Sequence, residues 1–371
     1  MDHSLRLAVE LPPVPIGRAT APVSLDPWWQ TVVASVRAGA GVVWFTGGAG
    51  AGRPAGHGAG RPAGHRAGRP AGQGLAGLTC DPCTTAAAAV TLEVAALLGV
   101  VSTLPADRHP AVLARDVTTL DVVSGGRAAV LLRWAWNGLP AQRHTGPPGE
   151  LPGEPSAACA YLGEAVAVCR SVLQDDDPVF EGSYLRVAGA VNRPRPRRPG
   201  GPPLLVEVPA GAAALVRRAA GPAFLIRQAW SAAAAIVCPD DPGEIELWRA
   251  FAEETTVSPG IGGGSHQVPD VVCRTTLRNA WADTAARSRR SPTLASSGSE
   301  PGSGSGSEPG SGSSSLSGLR SRLGAARAAG AEGVIVRVAP GRLGDGTLRL
   351  EPEDAPRLAA ELAECFDPWR R

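Results

Sequence analysis

The stretch RHPAVLARDVTTLDVVSGGR, Arg108–Arg127, runs straight into AAVLL and reads as one helix with both ends marked, followed by a strand. His109 stands at the N-cap position and Pro110 at the first helical position, where a missing N–H costs nothing and the fixed φ helps. Leu113, Val117 and Leu120 then fall four and three residues apart, on one face. Ser124-Gly125-Gly126 ends the helix, because glycine adopts the left-handed conformation that a side chain resists. A buried helix turning tightly into a strand is one step of an α/β protein.

Working outward, the same alternation repeats. LRLAVELP, Leu5–Pro12, fits a first buried strand, and Asp26-Pro27 starts a helix that ends at Gly39 and Gly41 before the apolar run Val42–Phe45. Asp26 is placed as the N-cap of that helix. Asp81-Pro82 opens another helix, and ALLGVVSTL supplies a third strand. The fourth strand is Ala128–Leu132, with RWAWNGLPAQRHTGPPGELPG as the loop after it. Leu162, Val166, Cys169 and Leu173 share a helical face. Later come strands around LLVEV, AAAAIV, Val271–Thr276 and GVIVRVAP, with helices at Gly243–Glu254 and DAPRLAAELAECF. Eight apolar strands, most followed by a helix, favour a TIM (β/α)8 barrel over an open doubly wound sheet.

Two low-complexity tracts interrupt this pattern as loop insertions in one domain spanning residues 1–371. The first is a Gly/Arg/Pro repeat loop at residues 49–74, in which AGRPAGHG, AGRPAGHR and AGRPAGQG recur every eight residues; the second is a Ser/Gly-rich linker at residues 294–317. Neither holds enough apolar surface to fold around. NRPRPRRPGGPP reads as a solvated polyproline loop, and Asp175-Asp176-Asp177 as a solvated helix end.

The order R-H-P, a helix with L-A and T-L-D, then S-G-G-R before a strand resembles the luciferase-like monooxygenase family. FEGSYLRV resembles that family's short hairpin, NRPRPRRPGGPPLLVEV its proline-rich approach to strand five, and LSGLRSRLGAARAAGAEGVIVRVAP its last helix–strand step. The resemblance implies a TIM-barrel oxidoreductase or monooxygenase that uses reduced flavin (FMN) or the deazaflavin coenzyme F-420 on a small organic substrate. It puts the cofactor slot on the ends of strands two, three and four. The implied cofactor-binding positions are Thr46, then Gly99, Val100, Val101 and Ser102 where the family often has a G-T-G-V-like bulge, then Arg133, and Gly211 ahead of the helix after strand five. At the bulge two valines replace the family's T-G pair, and after strand two Thr46-Gly47-Gly48 replace an acidic residue and histidine. No catalytic residue carries over. A different reading stays open: a degenerate, non-catalytic barrel, with Arg133, Trp134 and Trp136 filling the cofactor's space, that serves as a binding or scaffold protein.

Composition narrows the classes. The 36 basic and 34 acidic side chains nearly balance, so no electrostatic footprint marks a nucleic-acid or membrane partner. Every basic side chain is arginine, which excludes a lysine Schiff base and a Walker-type phosphate site. No G-x-G-x-x-G follows a strand, and G-x-S-x-G and H-E-x-x-H are missing. Cys80-x-x-Cys83 has no second ligand pair, and His57 and His65 sit in the repeat, so no metal site is expected. His144 and His266 lie in loops without a visible partner. An odd count of seven cysteines and an N-terminus without a signal pattern point to a cytoplasmic protein. A homodimer is left open as its assembly.

Overall fold

The computed structural model describes residues 5–14, 25–47, 79–104, 108–134, 155–208, 233–257, 270–278, 316–339, 341–342, 348–349 and 355–370. Eight parallel strands close into a barrel. They are β1 (Leu7–Glu10), β2 (Val42–Thr46), β3 (Leu97–Leu104), β4 (Ala128–Trp134), β5 (Leu204–Glu207), β6 (Ala235–Pro239), β7 (Asp270–Arg278) and β8 (Gly333–Ala339). Each strand pairs with its neighbours in sequence, and β8 closes the ring on β1 with Leu7 opposite Val334 and Glu10 opposite Arg337. The expected TIM barrel is therefore the fold. Helices α1 (Asp26–Arg37), α2 (Pro82–Ala88), α3 (Pro110–Val123), α4 (Pro155–Gln174), α5 (Pro242–Val257), α6 (Leu316–Ala328) and α7 (Ala355–Phe366) are described with it.

The pleat sorts the strand residues into two cores. One set, including Val9, Val43, Phe45, Leu98, Val100, Leu132, Val206, Ile236, Cys273 and Val336, packs outward against helix residues such as Val32, Leu113, Val117, Leu162, Leu323 and Leu362. The other fills the lumen: Ala8, Val42, Trp44, Leu97, Val101, Ala129, Leu131, Leu205, Ala235, Val237, Val272 and Ile335. Both are filled by buried apolar side chains, so the barrel is a packed core and chemistry is placed at its C-terminal mouth.

The stretch around α3 forms as its residues dictate. The His109 ring nitrogen Nδ1 accepts from the Ala111 N–H at 3.2 Å, and Pro110 is the first helical residue. Leu113, Val117 and Leu120 are buried. The helix ends at Ser124, with Gly125 and Gly126 at φ +74° and +92°. Their positive φ lets the chain reverse into β4, while the Gly126 N–H reaches the Asp121 carbonyl at 2.7 Å. Asp81 caps α2 by accepting from the Thr84 N–H at 2.9 Å.

Four local expectations need correction. Asp26 is the first residue of α1, with Leu25 in the N-cap position, so its carboxylate sits in the first turn, where the helix dipole favours it. Strand β4 continues through Arg133 and Trp134, held in register against Thr103 and Leu104, so those two are not loop. Helix α6 begins at Leu316, inside the tract assigned to the linker. The proline-rich approach to β5 is tethered as well as solvated. Buried Asn192 donates to the Thr118 hydroxyl and the Val172 carbonyl at 2.9 Å each, and Asp121 accepts from the Arg197 N–H at 2.7 Å. The helix end at Asp175–Asp177 is solvated as expected, and there Asp176 accepts from Arg193 at 3.0 Å and Arg195 at 2.6 Å, which hold its carboxyl below the usual range. The repeat at residues 51–74, the helices expected after β5 and β7, and most of the Ser/Gly tract lie outside the described residues.

The expected hairpin is present as a two-residue ladder, Phe180–Glu181 against Arg186–Val187. Glu164 on α4 organises its turn, accepting from the N–H groups of Ser183 at 2.7 Å and of Tyr184 and Leu185 at 2.9 Å.

Candidate active site at the barrel mouth

Five strands each carry a charged residue on the lumen-facing side of the pleat: Glu10 ends β1, Glu207 ends β5, Arg133 is the penultimate residue of β4, and Arg274 and Arg337 lie within β7 and β8. Arg133 and Glu207 are register partners, as are Glu10 and Arg337, so the ladder itself sets opposite charges side by side. Arg133 bridges the two acids. Its Nη2 donates to Glu10 Oε2 at 2.7 Å and its Nε to Glu207 Oε2 at 2.6 Å. Arg274 Nη1 lies 2.6 Å from Glu207 Oε1 and 4.0 Å from Glu10 Oε2, and Arg337 Nε lies 3.5 Å from Glu10 Oε1.

Glu10 is fully buried, yet its oxygen Oε1 accepts no hydrogen bond. Burial pushes its carboxyl up, but the charge and hydrogen bond of Arg133, with Arg274 and Arg337 behind them, overcome that and hold it below the usual carboxylate range. Arg133 is held protonated more firmly than usual, because Glu10 and Glu207 outweigh the cost of burial. Arg274 moves the other way: burial and the like charges of Arg133 and Arg337 outweigh Glu207 and Glu10 and lower its proton affinity. Among the described residues three guanidiniums face two carboxylates, so the layer they form carries one positive charge in excess.

The sequence-derived positions fall unequally around this layer. Arg133 is its centre. Thr46, at the end of β2, is buried and donates through its hydroxyl to the Leu11 carbonyl at 2.9 Å. Val101 belongs to the lumen core, whereas Val100 packs outward against the helices. Ser102 is buried with its hydroxyl unpartnered. The ladders of β3 run unbroken, from Val42–Leu97 to Thr46–Val101 on one side and Leu98–Ala128 to Leu104–Trp134 on the other, so no bulge interrupts Gly99–Ser102. Gly99 is occupied from inside. A Cβ built there would lie 2.6 Å from Trp44 Cδ2, so the glycine makes room for that ring. Gly211, His57, His65, His144, His266, Trp136 and the side chain of Trp134 lie outside the described residues. Glu10, Glu207, Arg274 and Arg337 were missed. Their signal was present: LAVE, LLVE, VVCR and VIVR each place one charge directly after a short apolar run.

Cys80 and Cys83 are not joined in a disulfide, and Arg108 Nη1 approaches the Cys83 sulfur at 3.8 Å while the same guanidinium pairs with Asp81 and Asp116. Among the described residues, no group of three or more His, Cys, Asp or Glu side chains is placed to hold a metal ion, and no helix is long and apolar enough to cross a membrane.

A closed parallel barrel with a charged layer at its C-terminal mouth belongs to the (β/α)8 class, whose active sites are built on that face. Residues 66–290, more than half of the chain, match the family model described as luciferase-like monooxygenase, and the chain belongs to that family. The fold is similar to that of the monooxygenase RslO1 from Streptomyces bottropensis, at 15% identity and a TM-score of 0.56, covering 99% of this chain and 100% of that one. It is also similar to EDTA monooxygenase from Chelativorans sp. BNC1, at 13% identity and a TM-score of 0.54, covering 96% and 93%. No curated protein sequence matches the chain.

A flavin-type ring carries carbonyl acceptors and an N–H donor on one edge and gains negative charge on reduction. The mouth fits that chemistry. Guanidinium donors meet carbonyls, and the excess positive charge favours the reduced form. The floor at Gly99 does not contribute, because Trp44 covers it.

Proposed function

We propose that the chain is an oxidoreductase that binds reduced flavin mononucleotide or coenzyme F-420 at the barrel mouth and acts there on a small organic substrate. The observation that carries this reading is the ionic layer of Glu10, Arg133, Glu207, Arg274 and Arg337. It lies on the face where barrels of this class do chemistry and carries net positive charge above an apolar, filled lumen. When bound, the cofactor supplies two electrons. The protein's part is positioning and charge. Glu10 and Glu207 lock Arg133 in place, so its charge needs no reorganisation when negative charge develops above it. Thr46 and Arg133 are the side chains we assign to holding the ring, and Arg274 and Arg337 face it from β7 and β8.

The degenerate-barrel reading draws on one observation, the covering of Gly99 by Trp44. A single experiment decides between them. The full chain is titrated with oxidised and reduced flavin mononucleotide and with F-420, following cofactor fluorescence. Saturable binding of at least one at micromolar concentration, with Arg133→Gln weakening it about tenfold or more, is expected. No binding of any of them sinks the oxidoreductase and leaves the scaffold.

A further inference from the structure

Arg274 and Arg337 lie together on the β7–β8 edge, Arg274 opposite Ile335 and Arg337 opposite Thr276 in register. They differ from Arg133 in what they have left to give. The Arg133 side chain is 15% exposed and commits Nε to Glu207 and Nη2 to Glu10. The Arg337 side chain is 44% exposed and reaches Glu10 only through Nε, at 3.5 Å. Among the described residues its two Nη groups make no hydrogen bond. The available acceptors are mostly used. Both Glu207 oxygens are paired, to Arg133 and Arg274, and Glu10 Oε2 is taken by Arg133. The positive charge in excess thus sits where the layer is most open, as an unused planar fork beside a second guanidinium.

We propose that this edge recognises an oxyanion carried by the substrate, with the Arg337 Nη groups holding two of its oxygens and Arg274 completing the charge. A guanidinium fork matches a carboxylate, sulfonate or phosphate in a way that a point charge cannot. The anion restores the balance of the layer, which otherwise keeps Arg274 among like charges. β7 lies across the ring from β2–β4, so an anion held there stands opposite the cofactor positions assigned above. The proposal rests on the oxidoreductase reading and narrows its substrates to small organic acids. An oxyanion could also come from the cofactor's own phosphate, and the test separates the two sources.

Calorimetric titrations of the full chain at low ionic strength use benzoate and inorganic phosphate as probes, with benzamide as the neutral counterpart of benzoate. Benzoate is expected to bind at least about tenfold more tightly than benzamide, and Arg337→Gln to remove that preference, since about tenfold corresponds to one lost charge-assisted fork. Arg337→Lys, which keeps the charge and loses the fork, falls between. Arg274→Gln is the second variant, expected to weaken both anions, and unchanged circular dichroism shows that each variant folds. Equal affinity for benzoate and benzamide, or an unchanged benzoate affinity in Arg337→Gln, overturns the proposal. So does a loss of flavin mononucleotide binding in Arg337→Gln with riboflavin unaffected, which would assign the oxyanion to the cofactor. Wild-type protein that selects benzoate but binds no flavin or F-420 would refute the oxidoreductase reading while the anion site stands.

Discussion

Replacing Arg133 by methionine isolates what the ionic layer contributes. Methionine fills much of the space, but the Glu10 carboxylate loses the one hydrogen bond it accepts among the described residues, at 2.7 Å, while remaining fully buried. What is left nearby is Arg337 at 3.5 Å and Arg274 at 4.0 Å. Removing one partner of a buried pair costs about 3–5 kcal/mol, and the two remaining arginines place Arg133→Met near the lower end, at about 3 kcal/mol. The pH dependence carries the sharper test. In the wild type the Glu10 carboxyl lies below its ordinary value, so its contribution is complete above that value and is lost as acid protonates the folded state. In Arg133→Met the balance reverses: burial dominates and the folded carboxyl titrates above its ordinary value. The variant then gains stability as pH falls from neutral towards about 5, so its deficit against wild type shrinks over that range. Urea denaturation of both proteins at pH 5, 6, 7 and 8 measures this. The double variant Glu10→Gln with Arg133→Met should lose the pH dependence and recover part of the deficit. A deficit that stays constant from pH 8 to pH 5, or one below about 1 kcal/mol throughout, would refute the reasoning.

Three further outcomes follow from the packing. Gly99→Ala should destabilise by about 3 kcal/mol in urea denaturation, because its Cβ meets the Trp44 ring, and Trp44→Leu in the same chain should return part of that; simple additivity of the two would contradict the contact. Glu164→Ala should cost about 3 kcal/mol by leaving three N–H groups of the hairpin without their carboxylate, with faster hydrogen exchange confined to Ser183–Leu185; unchanged exchange there would count against it. Burial pushes the Cys169, Cys238 and Cys365 thiols up to about 12, and that of Cys273 upward as well. Iodoacetamide at pH 8 should therefore leave these four unlabelled in the native protein and modify them in denaturant, and mass spectrometry of peptides reads the difference.

The barrel was legible because its signals are local. His109-Pro110 starts α3, Gly125-Gly126 stops it, and short apolar runs such as VVWFT and AAVLL mark strands without reference to anything distant. The site was legible only at Arg133. Glu10 and Arg337 are far apart in the chain and become neighbours through closure of the ring, which no local pattern reports. The role of Gly99 was hidden for a related reason. Its match to a ring-supporting bulge is a matter of spacing, whereas what faces it is a tryptophan from the next strand. The tethering of the proline-rich segment depended likewise on Asp121 and Asn192, whose partners lie on other elements.

The pairing of Glu10 with Arg337 and Arg133 has a further meaning for how the molecule is assembled. Glu10 belongs to the first strand and Arg337 to the last, and they meet across the seam where the ring shuts. An open sheet lacking β8 would expose or strand those charges, so completion of the wall and assembly of the functional layer are one event. The seam works as a buckle whose tongue is Glu10. A chain that fails to fasten it forfeits shape and chemistry together, which ties the two ends of the polypeptide to a common fate during folding.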